Sequence, residues 1–307
     1  MKLFNECYDL VKKDYFKFLN KEKIYKKSMS VHIKNLKEVY IPIAFWINKK
    51  YQKKEKTLLI GLSAGQGSGK TTIASILSII LKVFFKRSIC VISIDDFYKT
   101  LNDRIKMAKQ THPLFKTRGV PGTHDIHLIK NFLSIIKKKN FKKIKIPRFN
   151  KSTDDRFKKS LWYKINKKPE IIIFEGWCVG AKAESSSTLK KPVNFLEKKE
   201  DKNLVWRKFV NEKLKKEYKK VFSMVDHYIF MKVPSFKMVF KWRFLQEIKL
   251  KKKLNYKKKI MSFAEIKRFI MFYQRITLQM MKDLSKSASV VILLKKNHEV
   301  KKLLFRS

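Results

Sequence analysis

The sequence predicts an α/β fold, a parallel sheet flanked by helices, on three observations. Short apolar runs of strand length recur at 57–64, 89–94, 170–174, 226–231 and 288–294. The segments between them are longer and carry helical patterning or charge. Several runs end in glycine or acidic residues, and ligands of such sheets bind at the carboxyl ends of strands. With 307 residues and 44% hydrophobic content, the chain can bury one large domain with appendages.

Taken in order, residues 1–56 read as a polar helical extension. Amphipathic patches at 8–11 and 16–19 give it a face to pack, and Pro42 is expected to interrupt the helical stretch 39–47. Residues 57–307 form the main domain. A first strand at 57–64 runs into a glycine-rich turn and a helix at about 70–85. The second strand, 89–94, ends in Asp95 and Asp96. A helix follows at 125–138, with Asp125 as its N-cap behind Pro121 and Gly122. The third strand ends at Glu175 and Gly176. Charged helices at 203–222 and 236–253 are expected within a lid-like insertion at about 190–260. Lysine runs at 251–253 and 257–259 read as solvated loops or helix ends.

The first turn carries the chemistry. Ala64, Gly65, Gln66, Gly67, Ser68, Gly69, Lys70 and Thr71 follow a strand and open a helix, the order of a phosphate-binding P-loop. Small residues let backbone N–H groups close around phosphate oxygens, and the helix N-terminus adds positive potential. Alanine replaces the usual first glycine and is small enough to serve. A P-loop NTPase/kinase fold follows, with a nucleotide on Gly65, Gln66, Gly67, Ser68, Gly69, Lys70, Thr71 and Thr72. Lys70 is expected to reach the β/γ-phosphates as a catalytic cation, and the Thr71 hydroxyl to hold Mg²⁺.

Other polar residues fall where such a fold places ligands. Asp95 is the candidate base for an acceptor hydroxyl, with Asp96 capping the turn or assisting Mg²⁺. Glu175 ends an apolar run, a position suited to a second Mg²⁺ ligand. Arg118, His124 and Asp125 lie in one turn-rich loop, and Arg148 and Arg156 in another; all are candidates to face the acceptor. Ten of the 74 basic residues are arginine, and six of these (Arg118, Arg148, Arg156, Arg207, Arg243 and Arg275) sit in polar motifs. A guanidinium grips carboxylate or phosphate with two prongs that lysine lacks. Ion pairs to Asp154, Asp155, Glu197 or Glu247 are the competing explanation.

Composition narrows the class further. The formal net charge of +49 comes mostly from lysine spread along the whole chain. That pattern reads as a solvated surface rather than a nucleic-acid face, which more often uses arginine. There is no apolar run of membrane-spanning length and no apolar signal core at the N-terminus. Cys7, Cys90 and Cys178 are too few and too scattered for a disulfide framework or zinc site. A cytoplasmic monomer with no membrane or specific nucleic-acid partner is expected.

Five segments together carry a family likeness: 61–72, 93–98, 118–125, 147–152 and 174–177, supported by 193–197 and 242–247. They resemble the plant and cyanobacterial type of D-glycerate 3-kinase, over roughly residues 40–300. The wider group includes phosphoribulokinase, uridine kinase and bacterial pantothenate kinase. The resemblance implies ATP as donor, a small hydroxy acid as acceptor, Asp95 as base, Glu175 near Mg²⁺, and Arg243 on a lid helix over the phosphates. Asn150 departs from it, since the related kinases usually carry Tyr-Asp or Phe-Asp where this chain has Phe149 and Asn150. Alternatives are a kinase for uridine, pantothenate or another sugar acid, and a P-loop ATPase associated with nucleic acid.

Overall fold

The computed structural model describes residues 2–24, 28–54, 56–253 and 261–306. Three helices open the chain: α1 (Lys2–Lys21), α2 (Met29–Asn35) and α3 (Ile41–Lys54). On α1 the buried residues Cys7, Val11, Tyr15 and Leu19 recur every four positions, one stripe of a helix. Pro42 does not break the following segment. A π-helical turn, Leu36–Tyr40, joins α2 to α3 just before it. Proline lacks an N–H and crowds the carbonyl four residues back, and the wider turn takes up that mismatch.

The main domain begins with β1 (Leu58–Ala64), α4 (Lys70–Val83), β2 (Ile89–Ser93), α5 (Leu101–Gln110) and α6 (Ile126–Lys137). Two small hairpins follow, one nested in the other. β3 (Ile144–Ile146) pairs with β6 (Tyr163–Ile165), and between them β4 (Phe149–Asn150) pairs with β5 (Asp155–Arg156). β7 (Ile171–Gly176) rejoins the main sheet. Short helices α7 (Ser186–Lys190), α8 (Phe195–Glu200), α9 (Val205–Lys213) and α10 (Lys219–Phe222) lead to β8 (His227–Lys232). The chain then forms α11 (Phe236–Lys253), α12 (Phe263–Ser287), β9 (Val290–Leu294) and β10 (Val300–Phe305).

Six strands make one sheet in the order β10-β9-β8-β1-β7-β2. Every pairing is parallel except β9 with β10. All five strands expected from the sequence lie in the parallel part. β7 runs on through Glu175 and Gly176 because Gly176 pairs with Ser63 of β1. The two hairpins, β10 and α12 are additions to the expected elements.

Alternation along the strands divides the core. Ile171 and Ile173 of β7 face one side and Ile172 and Phe174 the other. α1, α3 and α4 cover the first side; α6, α9, α10 and most of α12 cover the second. Burying each such aliphatic side chain contributes roughly 1.5–3 kcal/mol.

Residues 190–260, grouped as a lid-like insertion by sequence, divide in two. Trp206, Val210, Tyr218 and Val221 of the α9–α10 segment join the core. α11 leaves the tip of β8, packs Met238, Val239 and Trp242 into the opposite core layer and lies across the glycine-rich turn. Residues 257–259 lie outside the described residues. Two of the six singled-out arginines hold these layers together. Arg275 donates to Glu197 at 2.9 and 2.7 Å, and Arg207 donates to the same carboxylate at 3.3 Å. That buried cluster ties α8, α9 and α12. Among the described residues no helix is long and apolar enough to cross a membrane.

Candidate active site

The glycine-rich turn sits at the carboxyl end of β1, in the middle of the sheet. Gly67 (φ +77°) and Gly69 (φ +90°) adopt the left-handed backbone that side chains resist. A Cβ at Gly67 would also stand 2.8 Å from the Cβ of Trp242, so this glycine lets α11 close on the turn. Ser68 donates its hydroxyl to the Gly65 carbonyl at 2.7 Å, and Lys70 folds back toward the same carbonyl at 3.5 Å. Gly69 caps α4 without a side-chain bond, which leaves the first helical N–H groups available to an anion. Behind the turn, His298 Nε2 lies 3.0 Å from the Gly67 carbonyl, and its ring stacks on Trp242 at 3.9 Å.

The adjacent strand brings the carboxylates. Thr71 donates its hydroxyl to Glu175 Oε1 at 3.2 Å. A hydroxyl and a carboxylate at the phosphate end fit Mg²⁺, which keeps several positions for phosphate and water. No group of three or more His, Cys, Asp or Glu suited to a metal occurs among the described residues. Burial raises the Glu175 pKa, against the pull of Lys70. Burial lowers that of Lys70, against Glu175 and Asp95.

Asp95 lies beyond β7, in a 3₁₀ turn (Ile94–Phe97) that ends β2. β7 separates β2 from β1, so Glu175 stands between the turn and the cradle. Gly176 permits the approach, since a Cβ there would sit 2.5 Å from Ile94 Cγ2. Both carboxylate oxygens of Asp95 are engaged. Tyr98 Oη donates to Oδ1 at 2.9 Å, and Lys151 Nζ donates to Oδ2 at 2.8 Å. Burial would raise the Asp95 pKa, but the Lys151 charge and hydrogen bond, helped by His124 and Tyr98, hold it well below the usual carboxylate range. The neighbouring Asp96 goes the other way, pushed up to about 6 by burial and by Asp95 and Glu175. The Lys151 side chain is 63% exposed and that of Asp95 27%, so the pair is open to solvent at its ammonium end.

Lys151 comes from the tip of the β4–β5 hairpin, which is fastened to the Asp95 turn. Asp96 Oδ1 accepts from the Phe149 N–H at 3.2 Å. Arg156 donates to the Tyr98 carbonyl at 3.1 and 2.7 Å. Asp154 pairs with buried Arg104 at 3.0 Å and with Arg118. Asn150 Oδ1 accepts from the Ser152 N–H at 3.0 Å and its hydroxyl at 2.5 Å, closing the turn beside Lys151. Asparagine therefore serves at position 150 as a turn residue.

The residues proposed from sequence to face the acceptor thus separate. Lys70, Thr71, Glu175 and Asp95 come together; Asp95 raises the Lys151 pKa, and Arg118 is held by Asp154 in the hairpin. Asp125 instead caps α6 through the Leu128 N–H at 3.1 Å and holds Arg156 at 3.4 Å. His124 is 1% exposed, bonded to Tyr218 Oη at 2.6 Å and stacked on Tyr98; burial drives its pKa down to about 3. Arg148 packs over Phe157 and Tyr163 and donates to the Leu161 carbonyl. These partners engage Asp125, His124, Arg148 and Arg156 in supporting the hairpin and its surroundings. Arg243 is paired with Glu247 at 2.6 Å, although its backbone N–H abuts Gly67. Lys151 escapes the sequence reading because 63 other lysines share its composition signal.

Residues 59–207 match the family described as phosphoribulokinase/uridine kinase. An uncharacterized kinase of Schizosaccharomyces pombe is 32% identical over 236 residues, which cover 74% of this chain and 82% of that one. The chain belongs to the phosphoribulokinase/uridine kinase family. As a small-molecule kinase of this family it takes ATP as phosphoryl donor. It is also 31% identical over 229 residues to the chloroplastic D-glycerate 3-kinase of Arabidopsis thaliana, covering 69% of this chain and 48% of that one. A solved D-glycerate 3-kinase from Cryptococcus neoformans shares the fold at TM-score 0.74 and 20% identity, over 88% of this chain and 99% of that one.

Proposed function

We propose that this kinase transfers the γ-phosphoryl group of ATP to D-glycerate, giving 3-phosphoglycerate. The observation that carries the reading is the pair Asp95–Lys151, held on the acceptor side of Lys70. A hydroxy acid needs a base for its hydroxyl and a cation for its carboxylate, and this pair offers both within one contact. The relative from Arabidopsis thaliana supports the same acceptor.

In this reading the backbone N–H groups of Gly65–Thr72 hold the phosphates and Lys70 neutralises charge on the β/γ oxygens. Mg²⁺, when bound through Thr71 and Glu175, supplies further charge neutralisation there. Asp95 takes the proton of the attacking hydroxyl as its oxygen bonds to the γ-phosphorus, and the bridging β–γ oxygen leaves with ADP. The base is assigned to Asp95 rather than Asp96 because Asp96 Oδ1 is bound to the Phe149 N–H and fastens the hairpin. Arg243 borders the cradle from α11, while Arg118 is paired with Asp154 and would have to share that contact to meet the acceptor.

The test is ADP release with D-glycerate, L-glycerate, uridine and pantothenate, with the phosphorylated position read by NMR. Turnover confined to D-glycerate, with phosphate on the 3-hydroxyl, is expected. Preferred turnover of uridine or pantothenate would replace this reading with another acceptor in the same family.

A further inference from the structure

Each oxygen of Asp95 already accepts one hydrogen bond, so an acceptor hydroxyl meets a base whose charge is shared with Tyr98 and Lys151. Tyr98 holds Oδ1, and it lies on the same turn as Asp95. Lys151 holds Oδ2, and it differs from Tyr98 in every relevant way. It comes from another element, it is mostly exposed, and it carries a charge that makes Asp95 a weaker base. Its backbone is nevertheless fixed, because Asp96, Tyr98 and Asn150 fasten the hairpin on either side of it. A long flexible side chain on a fixed stem can swing while its origin stays in place.

We propose that Lys151 guards the base and is drawn off it by the acceptor's own carboxylate. This rests on the hydroxy-acid reading above. Without acceptor, the ammonium covers Oδ2 and suppresses proton abstraction from water. When a carboxylate enters beside Arg118, Lys151 turns to it and Oδ2 is released to the hydroxyl. The carboxylate therefore raises kcat as well as affinity, and acceptors without one leave the base covered. The ammonium is the exposed end of the pair, so an entering carboxylate can reach it and offer a second anionic partner. Water attack on the γ-phosphorus, with its proton passing to Asp95 and ADP leaving, is the side reaction that the guard restrains.

The experiment compares wild type, Lys151→Met and Lys151→Arg with D-glycerate, with glycerol, and with no acceptor. Lys151→Met is expected to lose about 10–100-fold in kcat/KM for D-glycerate, the scale of a lost hydrogen bond to a charged group. Glycerol turnover should rise, and acceptor-independent ATP hydrolysis should rise about tenfold as the base is uncovered. Lys151→Arg should recover part of the glycerate preference. Equal losses with glycerate and glycerol, or hydrolysis that does not rise, would overturn the guard. If wild type fails to phosphorylate D-glycerate, the acceptor assignment falls, while the hydrolysis comparison still decides the guard.

Discussion

The two halves of the site are built by different means. The donor half is one contiguous stretch: β1, the turn and the start of α4 supply its cradle from residues 58–72. The acceptor half is assembled from residues 95–98, 104, 118 and 149–156, joined by side-chain hydrogen bonds and ion pairs. Backbone conformation fixes the first and polar side chains fix the second. Changes in the donor half should therefore act through nucleotide contacts, whereas changes in the acceptor half should act through the hairpin and leave ATP alone.

The largest effect expected is from Asp95→Asn. Removing the proposed base should lower kcat by about 10²–10⁴-fold while the ATP affinity, measured by calorimetry, changes little. An equal loss of ATP binding would join the two halves that the structure separates. Lys70→Met should follow, with a loss of about 10²–10³ in kcat and weaker ATP binding but an unchanged acceptor KM. The split between the two variants, read as KM against kcat for each substrate, sharpens the comparison.

Asp154→Ala probes the hairpin without touching a reacting atom. Asp154 anchors Arg104, which is fully buried, and Arg118. Truncation leaves a buried donor with one partner fewer and should cost about 1–3 kcal/mol in chemical denaturation. The acceptor KM should rise and the ATP KM should hold. A variant that loses ATP affinity instead would mean that the hairpin also shapes the cradle.

The same contrast explains what was legible in the sequence. Glycines, Lys70 and Thr71 announce the cradle because their spacing is local. The strands are legible because a parallel sheet buried on both faces demands unbroken apolar runs such as Ile171–Ile173. α12 was legible but missed: Ser262 and Glu265 form a capping box, and Ile266, Ile270 and Tyr273 mark a helical stripe behind it. The acceptor half was not legible in this way. Nothing in the order of residues says that Asp96 will hold the Phe149 N–H or that Lys151 will reach Asp95. The scarcity of arginine pointed to real partners, yet Arg207 and Arg275 turn out to bind Glu197 within the fold, and Arg156 a backbone carbonyl. Residue chemistry marks a group as needing a partner; only the fold says which one.

His124 gives the smallest effect and tests the acceptor half by pH. It is buried and held neutral, with its pKa near 3 against an ordinary value of about 6.5. A histidine depressed on folding contributes stability that is complete above its unfolded value and is lost as pH falls toward the folded one. Between pH 6.5 and 5, wild type should therefore lose about 1–2 kcal/mol through this group. Asp96, raised on folding, contributes in the opposite direction as pH falls, and the comparison cancels it because both proteins contain it. His124→Gln keeps an acceptor for the Tyr218 hydroxyl but has no titrating ring. Its Tm should fall less than that of wild type between pH 7.5 and 5. Parallel Tm curves would mean that His124 takes up a proton in the folded protein, and the packing around Tyr98 would then be looser than the stacked geometry implies.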